Sequence, residues 1–160
     1  MKRACLAIAL LVAVPALCNG LRPFVRGSWQ RLRSVYRDRP LIVHFWGVSC
    51  APCMAELPVW AALREEHRDA VILFVTTDPE PAAEAAILYA LTKSGLGLAD
   101  NWRFADSFPE RLRYEVDPGW SGELPFTVLI TRKGKITTMS GVADPKRLRQ
   151  WLDTQAPRRK

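Results

Sequence analysis

Apolar residues along this chain form short runs that alternate with segments of helical spacing. Two of the runs, Leu41–Trp46 and Val71–Thr76, are almost wholly apolar. They lack the alternation of a half-exposed strand, so they predict strands buried on both faces of a sheet. The later runs Phe126–Thr131 and Lys135–Met139 flank Arg132-Lys133-Gly134, and this arrangement predicts a β-hairpin.

The segments around these runs predict helices. Three of them are expected to start at Gly27-Ser28, at Asp78-Pro79-Glu80 and at Asp144-Pro145. The other two are expected over about residues 51–67 and over residues 107–114. Pro58 is expected to kink the second helix, because it removes a backbone donor. Asp78 is expected to cap the third helix. The expected buried stripe of that helix comprises Ala83, Ala86, Ile87, Ala90 and Leu91.

Strands that alternate with helices predict an α/β fold in which helices cover a central sheet. A short strand is expected over Trp102–Ala105 and a loop over residues 116–123. The closing hairpin is expected to supply antiparallel edge strands. No internal repeat or long linker divides the chain, and its 160 residues are enough for one core.

The amino-terminal residues have the features of an export signal. Lys2 and Arg3 precede an apolar stretch, Ala4–Cys18, which is too short for a comfortable membrane span. We therefore expect a signal peptide over residues 1–20, one domain over 21–157 and a basic tail over 158–160. Acylation of Cys18 and an uncleaved membrane anchor are the alternatives. Export after a basic start indicates the periplasm.

The chain is basic, with 23 Lys and Arg residues against 16 Asp and Glu residues and a net charge of +7. The basic residues are dispersed rather than interleaved with aromatic residues, so the pattern does not predict nucleic-acid binding. Such a surface could favour acidic partners or anionic lipid head groups.

Two of the four cysteines remain after the predicted signal peptide is removed, and these are Cys50 and Cys53. A disulfide between Cys50 and Cys53 would close a loop too short to add much chain-entropy stabilisation. Reactivity therefore explains the pair better than a structural cross-link does. Cys50 is expected at a helix amino terminus, where backbone amides favour a thiolate, and Cys53 lies one turn further in. Cys50 would attack a substrate disulfide, and Cys53 would resolve the mixed disulfide.

Metal binding is the main alternative for a Cys-x-x-Cys pair. Structural zinc needs four ligands, and outside the predicted signal peptide only two histidines, His44 and His67, accompany the one cysteine pair. No metal site is therefore predicted. Copper(I) needs only two thiolates, so a copper(I)-binding chaperone that uses Cys50, Cys53 and His44 stays open, as does an inert disulfide.

The residues around the cysteines resemble the thioredoxin superfamily, and within it the exported TlpA/ResA-like thiol–disulfide oxidoreductases. The similarity covers about residues 24–154 and rests on Phe45-Trp46, Cys50-Ala51-Pro52-Cys53, Glu56-Leu57-Pro58, Leu124–Ile130, Gly134 and Gly141. It implies a thioredoxin fold, a central mixed sheet flanked by helices, with a TlpA/ResA-like insert that includes residues 101–122. It also implies a cis peptide before Pro125 and pairing of substrate with the backbone of Leu124.

Two positions depart from the family pattern. Ser49 stands where a tryptophan usually precedes the first cysteine, which removes an apolar contact and brings a hydroxyl near the thiolate. His44 occupies the strand position behind the dithiol where relatives carry an acid or a neutral polar residue. Its imidazole could accept the proton of Cys53 during resolution, and the alternative is a hydrogen-bonded core histidine.

Four further residues have expected places near the site. Trp46 is expected to form a packing wall, and Glu56 to cap or pair locally on its helix. Trp120 and Glu123 are expected to line the substrate groove.

The resemblance implies a periplasmic protein-disulfide oxidoreductase, with reduction as the favoured direction and a DsbA-like thiol oxidase as the alternative. The protein substrates of such an enzyme would be apocytochrome c or copper-site assembly proteins. The first of these would place the enzyme in cytochrome c maturation. A membrane electron donor would reduce it again. A monomer without an organic cofactor is expected.

Overall fold

A six-stranded sheet lies at the centre of the computed structural model, which describes residues 20–78 and 83–155. Within those residues the strands are β1 (Arg22–Phe24), β2 (Leu41–Trp46), β3 (Val71–Thr76), β4 (Asp100–Phe104), β5 (Phe126–Ile130) and β6 (Ile136–Ser140). The helices are α1 (Ser28–Val35), α2 (Ala51–Glu66), α3 (Glu84–Lys93), α4 (Pro109–Val116) and α5 (Pro145–Gln155). The predicted α/β fold is confirmed.

The strand order is β1-β4-β3-β2-β5-β6. The first four strands in this order run parallel, β5 runs antiparallel to β2, and β6 runs antiparallel to β5. The sheet therefore has two distinct ends. The cysteine end is where β2 stops at Trp46, and the far end is where Leu41 of β2 pairs with Ile130 of β5.

Two apolar layers cover the two faces of the sheet. Every residue of β2, β3 and β5 is buried, as strands covered on both faces require. On one face Phe45 lies among other aromatic rings, Phe24, Phe104, Trp120 and Phe126. On the other face, buried residues of α2, α3 and α5 pack against Ile42, Trp46 and Phe74. The cysteine-bearing helix is thus fixed to the second face by apolar contact.

The edges of the sheet differ from the prediction. β1 was not expected, because it is only three residues long and contains Pro23. It pairs in parallel with β4, with Arg22 opposite Trp102, at a sheet edge where proline is tolerated. The predicted hairpin is present, but β5 lies between β2 and β6. The expectation that both hairpin strands lie at an edge was wrong.

The α-helical part of the third helix begins later than predicted. Its N-cap residue is Ala83, and the predicted start at Asp78-Pro79-Glu80 reaches into residues 79–82, which lie outside the described residues. Ile87, Ala90 and Leu91 form the buried stripe, whereas Ala86 is exposed.

The predicted insert and the proline-containing helix lie within the described residues, whereas most of the predicted signal peptide and the basic tail do not. Residues 101–122, expected within an insert, form most of β4, all of α4 and a loop. α2 continues through Pro58. Residues 1–19 of the predicted signal peptide and the basic tail lie outside the described residues. No helix in residues 20–78 and 83–155 combines the length and apolar character needed to cross a membrane.

Candidate active site

The two cysteines lie where β2 ends and α2 begins. Residues 47–49 carry the chain from β2 to Cys50, which is the N-cap residue of α2. The Cys50 N–H donates to the Gly47 carbonyl at 3.2 Å, which makes the connection a tight turn. Cys50 Sγ accepts a hydrogen bond from the Cys53 N–H at 3.3 Å, as a capping side chain does.

Cys50 and Cys53 form a disulfide, and their surroundings are unequal. Cys53 has no exposed surface, whereas Cys50 is partly exposed. A partner thiol or disulfide therefore reaches Cys50 first. The amino-terminal amides of α2 stabilise a thiolate at Cys50 once the disulfide is reduced.

A carboxylate from the neighbouring strand holds the loop between β2 and α2. Asp78 follows β3, and its Oδ2 accepts hydrogen bonds from the Val48 N–H at 2.9 Å and from the Thr76 hydroxyl at 2.6 Å. A Cβ atom at Gly47 would lie 3.2 Å from the same oxygen, so glycine permits this close approach. Sequence reasoning missed this role, although an aspartate two residues after the end of a buried strand was the available signal.

Leu124 and Pro125 lie beside this loop at the cysteine end. The peptide bond between them is cis. Phe126 pairs with Phe45, so the antiparallel register places Pro125 next to the end of β2. Leu124 is half-buried, and its Cδ1 would lie 3.5 Å from a Cβ atom at Gly47. Two segments far apart in the sequence thus meet at the disulfide-bearing loop.

A buried polar cluster of His44, Thr127 and Glu56 lies between the sheet and α2. His44 has no exposed surface, and its Nδ1 lies 3.0 Å from the Thr127 hydroxyl. Its Nε2 lies 3.2 Å from Glu56 Oε1, within ion-pair distance but without hydrogen-bond alignment. The second Glu56 oxygen accepts the Ala143 N–H at 3.2 Å. Both ring nitrogens of His44 therefore face polar atoms other than the cysteine sulfurs.

Burial dominates the protonation of His44. Its removal from water lowers its pKa from the usual 6.5, and the Glu56 carboxylate opposes that shift. Trp60 packs against the imidazole with ring centroids 4.5 Å apart and helps to exclude water. His44 is therefore neutral around pH 7, the form that can accept a proton.

Glu56 is a core residue rather than a local partner on the surface of its helix. It connects α2 with β2 through His44 and with the segment before α5 through Ala143. The prediction of a local cap or pair was wrong, because the i, i+3 spacing from Cys53 puts Glu56 on the buried face of α2. That spacing was the signal that sequence reasoning did not use.

Trp46 and Ser49, which both precede the first cysteine, have contrasting environments. Trp46 is buried in the apolar layer that also contains Cys53. Ser49 is exposed beside Cys50, so its hydroxyl lies at the surface that a partner would approach.

Trp120 and Glu123 contact each other, but one is buried and the other is exposed. Trp120 is buried, stacks on Phe126 with ring centroids 4.5 Å apart, and donates its indole N–H to the Glu123 carbonyl. Glu123 is exposed, and its carboxylate accepts from the Ser140 hydroxyl and the Ser121 N–H. Among residues 20–78 and 83–155, no group of three or more His, Cys, Asp or Glu side chains is arranged to hold a metal ion.

Neither a protein-family model nor a curated protein matches the sequence. Solved structures do match. One is a secreted disulfide oxidoreductase of Mycobacterium tuberculosis that is homologous to E. coli DsbE. It is 17% identical, with a TM-score of 0.61 over 76% of this chain and 85% of that chain.

Two other solved structures give the same result. StoA of Bacillus subtilis is 21% identical, with a TM-score of 0.55 over 72% of this chain and 83% of that chain. The exposed lipoprotein thioredoxin of Streptococcus pneumoniae is also 21% identical, with a TM-score of 0.54 over 76% of this chain and 88% of that chain. This chain therefore has the thioredoxin fold of these proteins.

Proposed function

We propose that this protein is a periplasmic thiol–disulfide oxidoreductase of the TlpA/ResA-like group, and that it reduces disulfides in exported proteins. The observation that carries the proposal is the Cys50–Cys53 disulfide at the amino terminus of α2, with Cys50 partly exposed and Cys53 buried. A pair arranged in this way provides one sulfur that reaches a partner protein and a second that releases it.

The proposed cycle starts from the reduced protein. The Cys50 thiolate attacks one sulfur of a substrate disulfide, a mixed disulfide forms, and the other substrate sulfur leaves as a thiolate. The Cys53 thiolate then attacks Cys50 Sγ and releases the second substrate thiol. Two electrons pass to the substrate, and the Cys50–Cys53 disulfide forms. A dithiol donor at the membrane returns two electrons and restores the reduced protein.

The segment before β5 is the proposed place for the substrate backbone. Leu124 precedes Phe126, the first residue of β5 that pairs with β2, so its peptide groups are not used by that pairing. Leu124 also lies beside the loop that leads to Cys50. An extended substrate could pair with Leu124 while its sulfur faces Cys50.

Export is supported by the sequence and by two structural neighbours. Residues 4–18 are apolar after a basic start, as in a signal peptide. Of the structural neighbours, the M. tuberculosis oxidoreductase is secreted and the S. pneumoniae thioredoxin is an exposed lipoprotein. Apocytochrome c, copper-site assembly proteins and a membrane electron donor are the proposed partners of a monomeric protein.

His44 is the proposed acceptor of the Cys53 proton during resolution. Its burial keeps the imidazole neutral. Glu56 contacts His44 and shares the buried face of α2 with Cys53, so its carboxylate offers a path for the proton.

The roles of the two cysteines can be separated by substitution. Cys53→Ser should accumulate a mixed disulfide with a disulfide-containing peptide, because no second thiol remains to release it. Cys50→Ser, the matched control, should form little adduct, because the buried sulfur is out of reach. Mass spectrometry of the trapped species measures both. More adduct on Cys50→Ser than on Cys53→Ser would contradict the assignment of the nucleophile.

The direction of electron flow is tested by the reduction potential of the pair. A reductase should equilibrate with glutathione near or below the potential of thioredoxin, about −270 mV. Quantifying the oxidised and reduced forms after alkylation gives the value. A potential close to that of DsbA, about −120 mV, would identify an oxidant and exclude the reductase direction.

His44→Asn should slow resolution by about a hundredfold, the usual contribution of a positioned base, while the attack by Cys50 changes little. Single-turnover mixing with a disulfide peptide, followed by acid quenching, resolves formation and decay of the mixed disulfide. Equal slowing of both steps, or of neither, would be inconsistent with a role as base.

The lowered pKa of His44 also predicts how stability depends on pH. Below about pH 6.5 the unfolded chain binds a proton that the folded protein excludes, so the free energy of unfolding should fall as the pH falls. His44→Asn should show a smaller loss between about pH 7 and pH 5 in urea unfolding. An unchanged slope in His44→Asn would show that the buried imidazole is not the source.

A further inference from the structure

The far end of the sheet carries a basic cleft of about 530 Å³. Its cationic lining residues are Arg33, Arg37, Arg39, Arg132 and Lys133. Among the described residues of the lining, Asp38 is the one acid. Two elements contribute the cations, the segment from α1 to the start of β2 and the turn between β5 and β6.

Four of these cations are not neutralised by an ion pair. Arg33, Arg37, Arg39 and Lys133 are exposed, and none has a carboxylate within 4 Å among the residues that the structure describes. Arg132 differs, because it lies 3.6 Å from Asp69 and also donates to backbone carbonyls. Like charges gathered around one concavity add their fields, so the cleft has a positive potential.

Asp100, at the start of β4, is already engaged by other residues. Asp100 accepts hydrogen bonds from Arg22 at 3.1 Å and from the Tyr36 hydroxyl at 2.9 Å. Burial and this carboxylate raise the pKa of Tyr36 to about 12, so the phenol stays protonated and keeps its hydrogen bond. Asp100 is therefore already paired with Arg22 and Tyr36, although Arg39 lines the same neighbouring cavity as Asp100.

Both ends of the described chain lead to this far end. β1 runs parallel to β2, so it begins at the far end, and the sequence before it contains the apolar residues 4–18. The Gln155 carbonyl, at the end of α5, accepts from Arg132 Nε at 2.8 Å. The sequence continues from there to Arg158-Arg159-Lys160. Three more basic residues thus follow shortly after the point where the described chain ends beside the cleft.

We propose that the basic far end docks on an anionic membrane surface through phospholipid head groups. The cations are exposed and spread around an open cleft, which suits a sheet of charges better than one selected phosphate. Each basic residue near an anionic bilayer raises membrane partitioning about fivefold. Docking in this orientation turns the cysteine end away from the bilayer, so Cys50 faces partners that approach from the aqueous side.

The test compares binding to vesicles of phosphatidylcholine with and without phosphatidylglycerol, at low and high salt. It uses the full chain and a chain that lacks residues 1–19, which precede every described element. The variant Arg33→Gln/Arg37→Gln/Arg39→Gln removes three charges of the cleft. The matched control, Arg26→Gln/Arg111→Gln/Lys146→Gln, removes three exposed charges elsewhere. Reduction of a small disulfide by each protein reports separately on the dithiol.

The shorter chain should bind only the anionic vesicles and should be released by salt. The cleft variant should bind about a hundredfold more weakly, whereas the control stays within a fewfold of wild type and both keep their reductase activity. Equal weakening in both variants would show that net charge alone acts and would overturn the proposal. So would release by inorganic phosphate beyond that by chloride at equal ionic strength, which would indicate a small-anion site.

Discussion

The pairing of β2 with a parallel strand on one side and an antiparallel strand on the other is the constraint on which the site depends. The parallel register with β3 brings Asp78 to the loop that leads to Cys50. The antiparallel register with β5 brings Pro125 to the same loop. A shift of one residue in either register would turn the paired side chains to the opposite face and separate these groups. The apolar runs that specify burial of β2 therefore also specify the geometry of the disulfide's surroundings.

The same register makes a polar cluster possible inside the core. His44 and Thr127 are directly opposite each other in β2 and β5, so the histidine finds a hydrogen-bonding partner without any loop or water. Glu56 reaches the other side of the ring from α2. Unpaired polar groups in such a place would cost several kcal/mol. The cluster thus links the sheet, the cysteine-bearing helix and the segment before α5 at one buried point.

Much of the fold was predictable because its central elements are coded locally. β2 and β3 are continuous apolar runs, and α2 follows a strand and has a proline in its first turn. These elements could therefore be predicted from their own residues, without knowledge of the segments that they contact. β1 was not predictable, since three residues with a proline become a strand only when β4 is present.

The site was predictable to a similar extent. The Cys50–Cys53 spacing indicated the chemistry, and a resemblance supplied the cis bond before Pro125. The contacts of Asp78 with Val48 and of Glu56 with His44 depend on how separate elements align in space. No pattern within one segment carries that information.

β1 pairs with β4, which lies far along the sequence, and this affects the order in which the chain can fold. Arg22 pairs with Trp102, so the first strand of the sheet has no neighbour until more than half of the polypeptide has been synthesised. Such non-local pairing is slow to form. The strands β2 and β3 can therefore pair before β1 has a partner, and the amino-terminal strand joins the sheet last among the parallel strands.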